Sequence, residues 1–366
     1  MAADQRVPLR ALLLVPGGFA LLAGLDAALV LLGLPAPIKT AQLAEVHGVV
    51  LVFGFVGTVV ALERAVAAHR WWAYLAPAAL GTGAVLLVGP APRNLGGVLL
   101  LAGSATLVVV YVSLWRRSAD VAVLVQSAGA VLATGAALLG LGGVPVPGLV
   151  PWLSGFLILT IVGERLELAR VTMLGTSAEA LLVMVVVAMV AGIVAALLWP
   201  VPGYPVLGAT LLAAVVWLGR FDVARHTVRA TGLTRYMAVC LLAGYVWLLV
   251  PALTWLLVSQ VHPGDSGGRY DAVVHAVMLG FVLSMIMAHA PVILPAVVRR
   301  PLPYTPLMYG PAALLHLSLL LRLAVGDARG VHWALQAGGA LNIVAVLGFI
   351  AVAGYSATRA PSRVPA

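Results

Sequence analysis

Charged residues are scarce in this chain, and cysteine is almost absent. Asp, Glu, Lys and Arg make up only 9% of the 366 residues, whereas hydrophobic residues make up 63%. Soluble domains carry roughly 25% charged residues, so this composition excludes a soluble globular protein. The single cysteine, Cys240, excludes an internal disulfide framework and a thiolate metal cluster. The chain is therefore expected to be an integral membrane protein with only short loops outside the bilayer.

Long apolar runs dominate the sequence. A helix needs about 20 predominantly apolar residues to cross ~30 Å of hydrocarbon. Twelve runs meet this requirement, which predicts an all-α polytopic protein with a single membrane domain, 1–366. No cleavable signal peptide is expected before the first run, so that run is predicted to be retained. The predicted spans are 9–34, 42–68, 71–90, 95–115, 119–142, 149–172, 178–199, 205–224, 233–258, 270–298, 304–325 and 331–356.

The basic residues predict the orientation of these spans. Of the 21 lysine and arginine residues, sixteen fall on one side of the predicted topology, together with both termini. The positive-inside rule makes that side cytoplasmic, in a bacterial-type inner membrane. The net charge of +9 is thus a topology signal, and no nucleic-acid partner is expected. The five basic residues predicted on the opposite side are Lys39, Arg93, Arg269, Arg322 and Arg329.

Three segments share one register, in which Gly-Phe is followed by seven residues and then by a titratable side chain. They run from Gly54-Phe55 to Glu63, from Gly155-Phe156 to Glu164, and from Gly280-Phe281 to His289. Each lies on the second span of a block of four, so the register predicts pseudo-symmetric four-helix repeats at 1–117, 118–229 and 230–366. The alternative is chance similarity among helices rich in Ala, Gly, Leu and Val.

The titratable ends of the register are expected at one depth in the membrane. A charge in hydrocarbon costs at least ~2.5–3.5 kcal/mol, so such side chains normally face a protein interior. Mixed carboxylate and imidazole ligands suit iron, or copper and zinc less selectively. A metal site would require Arg64 and Arg165 to point towards the lipid headgroups. Ion pairing with these arginines and proton handling are the alternatives. The candidate metal ligands are Glu63, Glu164, His289 and His316.

Two histidines are predicted near the outer ends of their spans, away from the titratable ends of the register. His47 and His275 both lie about one turn inside helices that run in the same direction. They therefore share one depth on different helices, as bis-imidazole ligation of a haem requires. His332 is predicted at the same level, and Arg269 and Arg322 are candidate partners for the carboxylates of a haem. The alternative is a structural pair of hydrogen-bonded histidines.

These segments resemble a known family. The stretch from His47 to Phe55, His-Gly-Val-Val-Leu-Val-Phe-Gly-Phe, is similar to the H-x-H-E-M-x-F-G-F motif of the NnrS family. The helix that contains His275 resembles that family's H-A-x-x-x-G segment. The resemblance covers roughly a quarter of the chain. It implies a twelve-span protein with haem and copper that handles nitric oxide. Val49 and Val50 replace the second histidine and the glutamate of the motif, so copper ligation by those residues is not implied.

The predicted architecture is also similar to the catalytic subunit of haem–copper oxidases and nitric oxide reductases. That subunit likewise has twelve spans in three blocks of four. The H-x-H on its tenth helix and the adjacent histidines on its seventh are absent from this sequence. A shared architecture does not imply a shared reaction, so oxygen-reducing chemistry does not follow.

Two functions therefore remain open from the sequence. The first is a haem protein, expected to be b-type with an additional iron or copper ion, that binds or reduces a small diatomic such as nitric oxide. Its electrons would come from an external donor, and as an enzyme it would be a membrane oxidoreductase. The second is a proton-coupled transporter with a relay of Asp26, Glu63, Glu164 and His289. A purely structural membrane subunit is a third option, disfavoured by the number of intramembrane titratable residues.

Overall fold

The computed structural model describes residues 9–171 and 175–359, and these residues form helices and no β-strand. Arg6 and Arg363, which contributed to the predicted charge asymmetry, lie outside them. Twelve helices are long and apolar enough to cross a membrane, so the predicted polytopic fold is confirmed. Spans 1–12 are Leu9–Leu31, Gln42–Ala68, Trp71–Val88, Arg93–Ser118, Val121–Leu141, Val146–Arg170, Thr176–Leu198, Pro200–Phe221, Gly232–Leu257, Ser266–Val298, Pro306–Asp327 and His332–Thr358.

Span 8 differs most from its predicted bounds of 205–224. It starts at Pro200 because proline is well tolerated at the first helical positions, where its missing N–H would be unpaired anyway. It ends at Phe221 because Asp222 adopts an extended conformation, with φ −67° and ψ 143°. The Asp222 carboxylate then accepts a hydrogen bond from the backbone N–H of Ala224, at the start of the short helix Ala224–Thr227. An aspartate predicted inside a span therefore lies at the end of one.

The three spans with the Gly-Phe register form the centre of the bundle. Within its most apolar window, span 6 has 78% of its residues buried, and spans 2 and 10 each have 56%, more than any other span. Spans 2 and 10 pack against each other, and span 10 also contacts span 6. Phe53 of span 2 stacks on Phe156 of span 6, with ring centroids 6.5 Å apart. The residues singled out from the register thus lie on the innermost helices.

The glycine of each Gly-Phe pair allows close approach of neighbouring spans. A Cβ atom at position 54 would lie 2.3 Å from Ala84 in span 3 and 2.8 Å from Ala20 in span 1. At position 155 it would lie 2.4 Å from Ile193 in span 7 and 2.8 Å from Leu132 in span 5, and at position 280 it would lie 2.3 Å from Trp247 in span 9. Contact with the preceding span recurs at all three positions, and the repeat of four spans remains a prediction.

Three of the spans contain a π-helical segment. These segments are Val50–Gly57 in span 2, Ala276–Leu283 in span 10 and Leu321–Asp327 in span 11. Such segments are rare and occur frequently at functional sites, because the wider turn changes the direction in which side chains point. Span 6 has an uninterrupted α-helix over the corresponding region. The π-helical segments therefore distinguish spans 2, 10 and 11 from the rest of the bundle.

Candidate functional site

His47 and His275 have the same local hydrogen bonding. The Nδ1 atom of His47 is 2.9 Å from the carbonyl oxygen of Gly24, and Nδ1 of His275 is 2.8 Å from the carbonyl oxygen of Asp271. A carbonyl oxygen only accepts, so in both rings Nδ1 carries the hydrogen and Nε2 carries the lone pair. Among the described residues, neither Nε2 atom has a hydrogen-bond partner. This is the tautomer in which a histidine binds a metal through Nε2.

Arg322 and the two histidines lie within electrostatic range of one another. The charge of Arg322 acts on both His47 and His275, and His47 acts on His275. The Arg322 side chain is buried, with 8% of its surface exposed, and its Nε atom has no hydrogen-bond partner among the described residues. Asp271 and Asp327 are its nearby acidic groups. His47, His275 and Arg322 are called the histidine site below.

Each member of the histidine site lies beside one of the three π-helical segments. His47 precedes Val50–Gly57 by three residues, His275 comes directly before Ala276–Leu283, and Arg322 is the second residue of Leu321–Asp327. The backbone is also closely packed here. A Cβ atom at position 338 of span 12 would lie 2.7 Å from the Cβ of Arg322. The two histidines therefore lie on α-helix directly before or near a π-helical segment, and Arg322 lies within one, against closely packed backbone.

The other residues predicted for a haem site are exposed. Arg269 is exposed near the start of span 10, and His332 is exposed at the first position of span 12. His262 is likewise exposed, and its backbone N–H donates to Asp265. Burial thus separates the histidine site from its neighbours at the same end of the bundle.

At the opposite end, the residues predicted to ligate a metal have arginine partners. Arg64 pairs with Glu63, lies 3.9 Å from Glu164, and donates to the side-chain oxygen of Gln126 at 3.3 Å. Under the metal hypothesis Arg64 was expected to point towards the headgroups, which is wrong. Its side chain is only 14% exposed and faces the glutamates, because both acids project into the bundle interior.

Arg165 was expected to point away from the bundle as well, and that expectation is also wrong. Its Nη2 atom is 3.1 Å from Nε2 of His289, and its Nε atom is 3.9 Å from the carboxylate of Asp222. The Tyr245 hydroxyl donates to the same carboxylate at 2.9 Å. Asp222 and Tyr245 were missed from the sequence; the only available signal was an acid within an apolar run. The ion network, as named below, comprises Glu63, Arg64, Glu164, Arg165, Asp222 and His289.

His316 has partners of its own. The Trp247 indole N–H donates to Nδ1 of His316 at 2.9 Å, and the two rings stack 6.4 Å apart. The Ser284 hydroxyl lies 3.4 Å from the other ring nitrogen. Across the described residues, no three His, Cys, Asp or Glu side chains form a group that could hold a metal ion. The residues predicted as metal ligands are thus arranged as an ion network, with His316 bound to Trp247.

Asp26 stabilises a loop. Its carboxylate accepts hydrogen bonds from the backbone N–H of Ile38, at 3.2 and 3.4 Å. Ile38 lies in the connection between spans 1 and 2. The carboxylate predicted for a proton relay is therefore bonded to the backbone of this loop.

Comparison with known proteins gives a family without a described activity. Residues 10–358 match the family model described as a domain of unknown function, DUF8744. No curated protein and no solved structure matches the chain.

Proposed function

We propose that this chain, which belongs to the DUF8744 family, is a haem-binding membrane protein with His47 and His275 as the axial ligands. The observation that carries this proposal is the shared tautomer. Two partly buried histidines on central spans both engage Nδ1 with a backbone carbonyl and leave the lone pair of Nε2 for a metal. A structural histidine would be expected to bond through both ring nitrogens, as His289 does with Met285 and Arg165.

Arg322 supports a haem rather than a bare metal ion. Its guanidinium would pair with the carboxylates of a haem, which a bare metal ion lacks. Its unpartnered Nε atom supplies a buried donor for such a pair. Gly48 next to His47 also favours a flat ligand, because a Cβ at that position would have only one contact within 4 Å, to Val146.

The ligand set favours electron transfer. A haem supplies one-electron redox chemistry when bound, and its potential depends on axial ligands, burial and nearby charge. Two imidazoles fill both axial positions, so a diatomic such as nitric oxide would require release of one histidine. We therefore propose a redox role with an external electron donor. Nitric oxide handling rests on the resemblance of the His47 and His275 segments to the NnrS family.

An absorption spectrum of the purified full-length protein, with metal analysis, tests this function. We expect a low-spin Soret band and iron in the wild-type protein. His47→Ala and His275→Ala should abolish or shift the band, whereas His332→Ala and His262→Ala, at exposed positions, should leave it unchanged. A wild-type protein expressed with haem available that contains no haem would contradict the proposal. So would an unchanged spectrum in both the His47 and the His275 variant.

A proton-coupled transporter is the second candidate, favoured by the placement of the ion network on the central spans 2, 6 and 10. Asp26 would not belong to its relay, because it bonds to the backbone of Ile38. In proteoliposomes, a transporter would relax an imposed pH gradient when its substrate is present. Glu164→Gln would then preserve the gradient, and Glu167→Gln, at an exposed position, would not.

A further inference from the structure

The ion network contains more acids than bases. Its two guanidinium groups belong to Arg64 and Arg165, and its three carboxylates to Glu63, Glu164 and Asp222. With neutral His289, these groups carry a formal net charge of −1. A net charge inside a membrane protein is costly, so the network is most stable when it takes up one proton.

The distances from each carboxylate to its partners show which acids lack a cation of their own. Asp222 accepts hydrogen bonds from the Tyr245 hydroxyl and the backbone of Ala224, and it lies 3.9 Å from the guanidinium of Arg165. Glu63 and Glu164, by contrast, share the single guanidinium of Arg64. Two carboxylates that share one site do not both ionise easily. The surplus charge therefore belongs to the Glu63–Glu164 pair.

His289 already uses both ring nitrogens in its neutral form. Its Nδ1 atom donates to the carbonyl oxygen of Met285 at 2.7 Å, and its Nε2 atom accepts from Arg165 at 3.1 Å. A proton on Nε2 would place two donors against each other. His289 therefore has partners for both nitrogens without an additional proton. The proton taken up by the network goes to one of the two glutamates.

Buried polar atoms in the network and in the neighbouring Gln126 are expected to bind water. Nε of Arg64, Nε of Arg165 and Nε2 of Gln126 are buried and have no hydrogen-bond partner among the described residues. Buried polar groups of this kind are normally satisfied by ordered water, which also conducts protons. The side chains of Glu63 and Glu164 are 22% and 19% exposed, whereas Arg165 and Asp222 are 5% and 2% exposed. Solvent therefore reaches the network at Glu63 and Glu164.

We propose that the Glu63–Glu164 pair is a proton-loading site that holds one exchangeable proton. Loading converts one carboxylate to a carboxylic acid and moves no electron. The site lies near the ends of spans 2 and 6, where sequence analysis predicts the arginine-rich side of the membrane. This proposal does not depend on haem at the histidine site. The titratable and charged groups that face the pair are Arg64, Tyr111, Arg165, Glu167 and His289.

Infrared spectroscopy of the full-length protein tests the proposal. At neutral pH we expect the C=O stretching band of one protonated carboxyl group, which shifts when the five glutamates are labelled with ¹³C. Glu63→Gln and Glu164→Gln should each abolish the band, because two acids then balance two arginines. Glu167→Gln lies three residues after Glu164 at an exposed position and should retain it, as should Glu45→Gln, which pairs with Arg93 at the other end of span 2.

Labelling alone keeps the test decisive if the glutamine variants fail to fold, because it uses the wild-type protein. A labelled wild-type spectrum without a protonated glutamate band would overturn the proposal. A band that persists in both Glu63→Gln and Glu164→Gln would overturn it as well. An imidazolium ring mode that is lost in His289→Asn would assign the proton to the histidine and equally contradict the assignment.

Discussion

The Nη2 atom of Arg165 lies 3.1 Å from the Nε2 atom of His289, which links spans 6 and 10. A guanidinium only donates hydrogen bonds, so His289 accepts and is neutral. The same arginine lies 3.9 Å from Asp222. One buried cation therefore joins an imidazole and a carboxylate from two other segments, and the ion network acts as a structural unit as well as a proton site.

Loss of Arg64 should destabilise the protein strongly. Arg64→Gln would leave Glu63 and Glu164 without their shared cation, and removal of one partner from a buried ion pair costs about 3 kcal/mol or more. Thermal unfolding in detergent measures the effect. Arg93→Gln is the matched control, because Arg93 and Glu45 are both more than half exposed and such pairs contribute at most about 1 kcal/mol. Equal losses in the two variants would contradict this account of the network.

The charge of Arg322 should set the redox potential of a haem at the histidine site. Arg322→Gln removes a buried positive charge, which disfavours the reduced form and lowers the midpoint potential, on the order of 50 mV. Arg322→Lys keeps the positive charge, so its midpoint potential should stay close to that of the wild-type protein. Arg269→Gln should have a smaller effect, because Arg269 is exposed and screened by solvent. Spectroelectrochemical titration gives the three values. A potential that is unchanged or higher in Arg322→Gln would be incompatible with this placement of the charge.

Close packing of spans 8 and 9 should make Gly208 intolerant of alanine. A Cβ atom at position 208 would lie 2.3 Å from the backbone nitrogen of Leu256, so the two helices would have to separate. Gly208→Ala should therefore lower the unfolding temperature. Gly219→Ala in the same helix has nothing within 4 Å of the added atom and should be neutral, or stabilising by up to about 1 kcal/mol. The reverse order of the two variants would contradict this contact between spans 8 and 9.

The arginine-rich side is expected to be cytoplasmic. The asymmetry of sixteen against five basic residues predicts that both termini lie on that side. A reporter fused after Ala366 and one inserted in the loop between spans 1 and 2, near Lys39, should therefore give cytoplasmic and external readouts, respectively. An external readout from the C-terminal fusion would reverse the assignment.

Composition and hydropathy were sufficient to predict the twelve helices, because each apolar run is long enough to span the hydrocarbon by itself. The three spans with the Gly-Phe register are also the three most buried, which the register did not itself predict. The π-helical segments were beyond prediction, since Val50–Gly57 has an ordinary apolar sequence whose wider turn depends on tertiary packing.

Side-chain direction was the main failure at the candidate sites. Arg165 follows Glu164 near the end of a span, a position from which arginines often reach the headgroups, yet it is only 4% exposed. Its direction depends on Asp222 and His289, which are distant in sequence and were not predicted to be its partners. His47, by contrast, was a candidate from the sequence alone because a histidine within an apolar run is itself a strong signal, and its role remains a prediction.

The central claim is bis-histidine ligation of a haem by His47 and His275. Electron paramagnetic resonance of the oxidised wild-type protein, with near-infrared magnetic circular dichroism, reports the axial ligands directly. We predict a low-spin ferric signal with two imidazole ligands, which is lost when either histidine is replaced by alanine and is retained in His332→Ala. A haem with one histidine and one methionine ligand, or a bis-imidazole signal that survives in both His47→Ala and His275→Ala, would contradict the claim.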